Sequence, residues 1–258
     1  MTQILQKTKL SSKYYLLQIE APEIAKHCQP GQFVMIHPDD KHRLSHMIAK
    51  CDKKSISILF SEDNKDAKYL MNLRKGMSLQ AVIGPLGKPI PLDSYGNICI
   101  VCEGEGVGPA LFLAAALKQF ENRVIMIAGF PSENAAFWTE DIEAISNKHA
   151  IAIPQKGESI DALIGTVHNI IRRKHMNLVL SLCNIKHMAE IAKLTELRTK
   201  NLSFLTPIIH DGVGMCGTCR LLVDGEIKLA CQDGPALDGS KINWPSAMQR
   251  YKSAGRVR

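Results

Sequence analysis

Aromatic residues make up only 5% of this 258-residue chain, and acidic residues are in the minority, 25 Asp and Glu against 32 Lys and Arg. Few aromatics, and none interleaved with the basic residues, exclude a stacking platform for nucleic acid. No long apolar run is present either. The longest, residues 110–117, falls far short of the roughly 20 residues a bilayer span requires. The opening residues lack the basic-then-apolar layout of an export signal, so the expected compartment is the cytoplasm. In that reducing setting the 8 cysteines are expected as metal ligands or redox groups rather than disulfides. Internal repeats and low-complexity tracts are absent. So are histidine pairs at metal-ligand spacing, Ser-His-Asp sets and paired acids. What remains is 45% hydrophobic and 22% charged, the balance of a globular chain of two domains with room for an appendix. The net charge of +7 suits an acidic partner or a phosphate-rich cofactor.

Three zones follow one another, and together they predict a mixed β and α/β chain. Residues 1–93 read as short strands between turns: Tyr14-Tyr15-Leu16-Leu17-Gln18-Ile19, Gln32-Phe33-Val34-Met35-Ile36 and the alternating Ser55-Ile56-Ser57-Ile58-Leu59-Phe60. This spacing predicts a small antiparallel β-barrel. Residues 94–200 alternate strands (98–102, 124–130, 178–182) with helices (110–120, 140–146, 186–200), the rhythm of a parallel sheet that binds ligands at its carboxyl ends. Its Gly-rich turn, Glu103-Gly104-Glu105-Gly106-Val107-Gly108, follows a strand and opens a helix, where backbone N–H groups favour phosphate. Glu103 and Glu105 put negative charge into the same turn and oppose a pyrophosphate. Residues 201–258 form a short third zone with a basic tail that is loosely held or faces a partner.

That third zone carries the most specific signal. Asp211-Gly212-Val213-Gly214-Met215-Cys216-Gly217-Thr218-Cys219 is followed by Cys231. Plant-type [2Fe–2S] loops place ligands four residues apart, then two, then at a distance. Cys216, Cys219 and Cys231 fill three of those slots, and Asp211 stands in the first. Glycines 212, 214 and 217 let the backbone pass close to sulfur and aim N–H groups at it. Residues 220–230 predict a hairpin with an Asp224-Gly225 turn that carries Cys231 back to the other thiols. Two readings stay open beside this one: a zinc knuckle of three thiolates and a carboxylate, and unrelated structural cysteines with a turn-forming aspartate. His210 reads as a surface loop residue.

These motifs resemble the C-terminal cluster of one flavoprotein family: the electron-transfer subunits of dihydroorotate dehydrogenase, NADH-dependent reduced ferredoxin:NADP oxidoreductase and sulfide dehydrogenase, within the ferredoxin–NADP reductase-like flavoproteins. The resemblance runs along nearly the whole chain. It implies an FAD-binding barrel, an NAD(P)-binding-like domain and a [2Fe–2S] region. It also implies a larger flavin and iron–sulfur catalytic subunit as partner, with ferredoxin as a further one. By resemblance, Arg43, Leu44, Ser45 and Met47 border the flavin, with Gly84 and Pro85 in the following turn. Gly104, Gly106, Val107, Gly108 and Cys183 border a pyridine nucleotide, and Asp211, Cys216, Cys219 and Cys231 hold the cluster. The chain departs from the family pattern where Arg-x-Pro-Leu-Ser/Thr reads Arg43-Leu44-Ser45-His46-Met47. The flavin-phosphate loop reads Asp63-Asn64-Lys65-Asp66-Ala67, without glycine, and Cys-Gly-Pro reads Cys183-Asn184-Ile185. The expected function is an electron-transfer subunit working between NAD(P)H or a partner flavin, FAD and the cluster. A relay subunit that has lost the nucleotide, and a zinc-stabilised module without redox activity, are the alternatives.

Overall fold

The computed structural model describes residues 2–64, 67–155, 162–195, 199–206 and 208–253. Its first sheet has seven antiparallel strands: β1 (Thr2–Lys9), β2 (Tyr14–Glu20), β3 (Phe33–His37), β4 (Leu44–Cys51), β5 (Ser55–Ser61), β6 (Ser78–Leu79) and β7 (Ala81–Leu86). Two short helices, α1 (Pro22–His27) and α2 (Ala67–Met71), interrupt it. The order β6-β1-β2-β5-β4-β3-β7 makes a half-barrel. Period-2 side chains give it a core of Ile4, Leu17, Ile19, Val34, Ile36, Leu44, Ile48, Ile56, Ile58 and Phe60. Strand β5 alternates in sequence as a half-buried strand does, yet all of Ser55 to Phe60 is buried. Its second face, which carries Leu59, is covered by the next domain.

That domain is a six-stranded sheet in the order β10-β9-β8-β11-β12-β15. Strands β8 (Asn97–Glu103), β9 (Arg123–Gly129), β10 (Lys148–Ala152), β11 (Leu178–Leu182) and β12 (Lys200–Phe204) are parallel. Helices α3 (Val107–Lys118), α4 (Thr139–Ile145), α5 (Ala162–Arg173) and α6 (Ile185–Thr195) connect them. The apolar runs of β8, β9 and β11 are buried on both faces, as central parallel strands require. Strand β10 was not apparent in the sequence because, as an edge strand, it exposes Lys148 and His149. The strand order, not the direction, reverses between β8 and β11: β9 and β10 lie to one side and β12 to the other, which sets the crevice at their carboxyl ends.

The C-terminal segment comprises the hairpin β13 (Arg220–Val223) and β14 (Glu226–Leu229), then α7 (Ala230–Asp233), β15 (Ala236–Asp238) and α8 (Trp244–Ser253). Asp224 and Gly225 both have positive φ, the signature of a type I′ turn. Strand β15 adds antiparallel to β12, so the boundary expected at 200/201 falls at the first residue pair of a strand shared with the middle sheet. The segment wedges between β3 (Phe33, Met35) and α6 (Ile185, Met188) in one apolar cluster.

Barrel and sheet pack tightly at Gly108 in the first turn of α3. A Cβ there would run into Ala49 on β4 and Leu59 on β5. Gly108→Val is therefore expected to destabilise the chain by about 1–3 kcal/mol through overpacking, read as a melting temperature lower by several degrees in calorimetry. An unchanged melting temperature would refute this contact as the joint.

Candidate functional site

The loop from Asp211 to Cys219 is shaped by one carboxylate and three glycines. Asp211 Oδ1 accepts from the N–H groups of Val213 (3.1 Å) and Gly214 (3.3 Å), and Oδ2 from Met215 (2.8 Å) and Cys216 (2.6 Å). Partial burial pushes the Asp211 pKa up, but these N–H groups and the Cys216 side chain outweigh it and hold it low. Gly212, Gly214 and Gly217 have φ of +78°, +83° and +63°, a region that side chains disfavour. Gly212 also lies so close to Met35 and Leu86 of the half-barrel that a Cβ would clash.

Two thiols meet beneath this loop. Cys219 Sγ and Cys231 Sγ lie 3.3 Å apart, each only 1% exposed. Burial, then the neighbouring Cys219, pushes the Cys231 thiol up to about 12, against a lowering contact from the Gly214 N–H. Cys216 is exposed on the loop above, and the Thr218 N–H points at its sulfur at 3.5 Å. The donors thus stand as two pairs, Asp211 with Cys216 and Cys219 with Cys231. Two sulfurs about 2.3 Å from one tetrahedral metal lie about 3.8 Å apart, half an ångström wider than the thiol pair stands. Soft sulfur donors, N–H groups aimed at them and two donors per metal fit a two-iron cluster. Among the described residues, no three His, Cys, Asp or Glu side chains gather as a single-ion site requires. His210 is exposed. A cavity of about 420 Å³ opens beside the loop, lined by Thr218, Ser246, Gln249, Arg250 and Ser253.

The residues expected beside a flavin divide between two faces of β4. Leu44 is 2% exposed and belongs to the half-barrel core. Ser45 and Met47 face the other way, opposite Met35 and Phe33 on β3. Ser45 Oγ donates to the Thr206 carbonyl at 3.1 Å, and Met47 packs against both neighbouring cores. Arg43 is exposed, and its charge reaches His37, whose pKa is lowered by burial first and Arg43 second. The buried Nε2 of His37 has no hydrogen-bond partner in the described structure. A guanidinium and an orphaned ring nitrogen at this corner fit an anionic group such as a flavin pyrophosphate. Gly84 packs on Val34, and the turn behind Pro85 is docked on the C-terminal segment, with Lys88 N–H donating to the Gly234 carbonyl at 2.6 Å. Lys65 and Asp66 of the expected flavin-phosphate loop lie outside the described residues; Asp63 pairs with Lys13 at 2.6 Å.

The Gly-rich turn contains a different arrangement from the one a nucleotide needs. A Cβ on Gly104 would meet the Tyr14 hydroxyl, one on Gly106 the Leu182 carbonyl, and one on Gly108 the barrel. Each glycine is therefore matched by protein. Val107 is fully buried in the core. Glu105 Oε1 accepts from the Ser61 N–H (2.8 Å) and Asn64 Nδ2 (3.4 Å) of the half-barrel. Glu103 Oε2 accepts from the Asn184 N–H (3.1 Å) and Nδ2 (2.9 Å) and pairs with His187 Nδ1 at 3.0 Å. Cys183 Sγ donates to the Val101 carbonyl at 3.5 Å, and burial followed by Glu103 raises its pKa well above the thiol range, so it stays neutral. Sequence reading missed the Asn184–His187–Glu103 cluster. Its available signal was Asn184 itself, a helix cap whose Oδ1 accepts from Lys186 and His187 N–H.

A half-barrel followed by a parallel sheet with its switch point at β8 and β11 is the fold of ferredoxin–NADP reductases, here with a thiol-bearing segment appended; one such reductase, from Plasmodium falciparum, superposes with a TM-score of 0.63 at 14% identity, over 79% of this chain and 95% of that one. The family model for the iron–sulfur cluster binding domain of dihydroorotate dehydrogenase B matches residues 206–243. An uncharacterized protein in the adh 3' region of Clostridium beijerinckii is 30% identical over 266 residues, spanning 97% of this chain and 89% of its own. A Thermotoga maritima homolog of the dihydroorotate dehydrogenase B (NAD(+)) electron transfer subunit is 26% identical over 258 residues, spanning 97% and 90%. The solved structure of an NADH-dependent reduced ferredoxin-NADP oxidoreductase superposes with a TM-score of 0.90 at 24% identity, over 98% of this chain and 93% of that one. The chain belongs to the family of dihydroorotate dehydrogenase B electron-transfer subunits and their homologs.

Two outcomes test the site. Asp211→Ala removes the acceptor for four N–H groups and is expected to cost about 1 kcal/mol, with faster hydrogen exchange at residues 213–216 of the metal-free chain; unchanged exchange there would refute the capping role. For Glu103, burial raises the pKa but the His187 and Asn184 contacts outweigh it, so the folded value lies below the usual 4.5. Its stabilisation is complete above that pH and lost as pH falls through the lowered folded value. Glu103→Gln should flatten the acid limb of the stability–pH curve, and an identical limb would show that the cluster stores no charge energy.

Proposed function

We propose that this chain is the electron-transfer subunit of a heteromeric cytoplasmic oxidoreductase. It holds FAD against the outer face of β4, and a [2Fe–2S] cluster between Cys216, Cys219, Cys231 and Asp211. When bound, a flavin of this kind takes up or gives two electrons and exchanges them singly with an iron–sulfur centre. The chain's own residues supply position and field. Asp211 and the glycines pre-shape the loop, Gly214 and Thr218 aim N–H groups at sulfur, and the buried Cys219–Cys231 pair excludes water. Arg43 offers the flavin's phosphates a positive charge and His37 an unpaired neutral ring nitrogen, and Ser45 and Met47 offer its ring a wall. The half-barrel, the middle sheet and the C-terminal segment serve as flavin, nucleotide-like and cluster units, with divisions near residues 93 and 200.

The family match over residues 206–243, laid on a preformed thiol pair, supports this reading most directly. A larger catalytic subunit bearing flavin or iron–sulfur groups is the expected partner, and ferredoxin a further one. Among the described residues no helix is long and apolar enough to cross a membrane.

Anaerobic purification of the full chain with its partner co-expressed is expected to give iron and acid-labile sulfide in equal amounts, with visible absorption that dithionite bleaches. Cys231→Ser should remove about two irons and two sulfides per copy of this chain while leaving the flavin and any iron–sulfur groups of the partner. Zinc in place of iron, or no metal at all in metal-replete cells, would rule the assignment out.

A further inference from the structure

The resemblance brings a pyridine nucleotide to the turn between β8 and α3, and the residues there do not fit one. A nucleotide-binding turn keeps open space above a glycine so that backbone can approach phosphate, and it leaves N–H donors for the negative charge. Here Gly104 faces the Tyr14 hydroxyl, Gly106 the Leu182 carbonyl, and Gly108 faces Ala49 and Leu59. The close approach these glycines permit is approach of protein to protein. Neighbouring donors that a phosphate could use are taken as well. Glu103 accepts three contacts from Asn184 and His187 at the start of α6. Glu105 accepts from Ser61 and Asn64 at the end of β5. Burial, then Glu105 and Glu103, raises the Tyr14 pKa, which places the phenol in the field of both carboxylates.

Two anions of the chain itself therefore sit where an incoming pyrophosphate would need cations or free N–H groups. Like charges at such separations repel, the more strongly because the turn is half-buried. The same residues explain why the fold survives the change. Glu105 ties sheet to half-barrel and Glu103 ties β8 to α6, bonds that hold the crevice closed without a ligand.

We propose that the crevice at the carboxyl ends of β8 and β11 is sealed by Glu103, Glu105 and Tyr14, so that electrons enter or leave this chain through its partner subunit and not through NAD(P)H bound here. This rests on the electron-transfer reading above, and the test separates the two. Hydrogen exchange is followed on the co-expressed anaerobic complex with NADH and with NADPH at about 1 mM, the weak end of ordinary substrate affinities. Absorbance is recorded in parallel, with dithionite as the reductant control. The expected result is that neither nucleotide slows exchange at residues 101–110 or 183–188, while dithionite bleaches the complex. Bleaching by a nucleotide that protects only the partner supports the same conclusion. Protection of residues 101–110 by either nucleotide, at least twofold and saturable, overturns it. A complex without any dithionite-sensitive chromophore sinks the electron-transfer reading, whatever the exchange shows. Equal melting temperatures with and without nucleotide, from a folded complex, count with the expected result.

Discussion

The arrangement depends on bare backbone where α3 meets the half-barrel. With no Cβ at Gly108, the first turn of α3 rests on Ala49 and Leu59, and β5 is buried on both faces. Glu105 reaches across the joint to Ser61, and Lys50 lies 4.2 Å from the ring centroid of Trp138, so polar contacts flank the apolar one. Once the two sheets are held this closely, the C-terminal segment has one place to pack, against Phe33 and Met35 on one side and α6 on the other. That wedge brings the Gly212 backbone against Met35, on the β3–β4 face that also carries Ser45 and Met47. The thiol loop and the flavin-side wall are thus two edges of one packed cluster.

Burying carboxylates at such a joint is costly unless donors meet them. Glu103 and Glu105 satisfy that condition with backbone and side-chain N–H groups from elements that a nucleotide or flavin phosphate would otherwise draw together. The chain therefore gains cohesion from the same charges that make the crevice hostile to phosphate. The corner at Arg43 and His37 has the opposite character: Arg43 is exposed and His37 Nε2 has no hydrogen-bond partner in the described structure.

Elements set by local chemistry were legible in the sequence. The apolar runs of β8, β9 and β11 required buried parallel strands, and Asp224-Gly225 required a tight hairpin. Strand β10 was hidden because an edge strand exposes polar residues, and α5 because a surface helix shows only a narrow apolar stripe. At the site, the cysteine spacing announced the thiol loop, whereas the destination of each acid could not be read. Glu103 and Glu105 looked like intruders in a phosphate turn. Only three-dimensional neighbours dozens of residues away, Asn184 and Ser61, show them as bonds of the fold. Leu44 and Ser45 adjoin in sequence but face opposite sides of β4, a division that follows from the pleat once the strand is placed.

Asp211 brings two demands onto one carboxylate. Ionised, it has about four lone-pair sites, and four N–H groups already use them. Iron ligation adds a fifth claim, so loop capping and metal binding compete unless the claims divide by oxygen. The geometry permits that division, because Val213 and Gly214 share Oδ1 while Met215 and Cys216 share Oδ2. Turning Oδ2 toward a metal held by Cys216 would release two amides beside the sulfur, where N–H groups stabilise a negatively charged cluster. Oδ1 would keep the other two and with them the turn at Gly212. An aspartate at this position can hold the loop open before loading and yield donors to the centre afterwards, a double use unavailable to a cysteine, whose single sulfur cannot divide its contacts in this way.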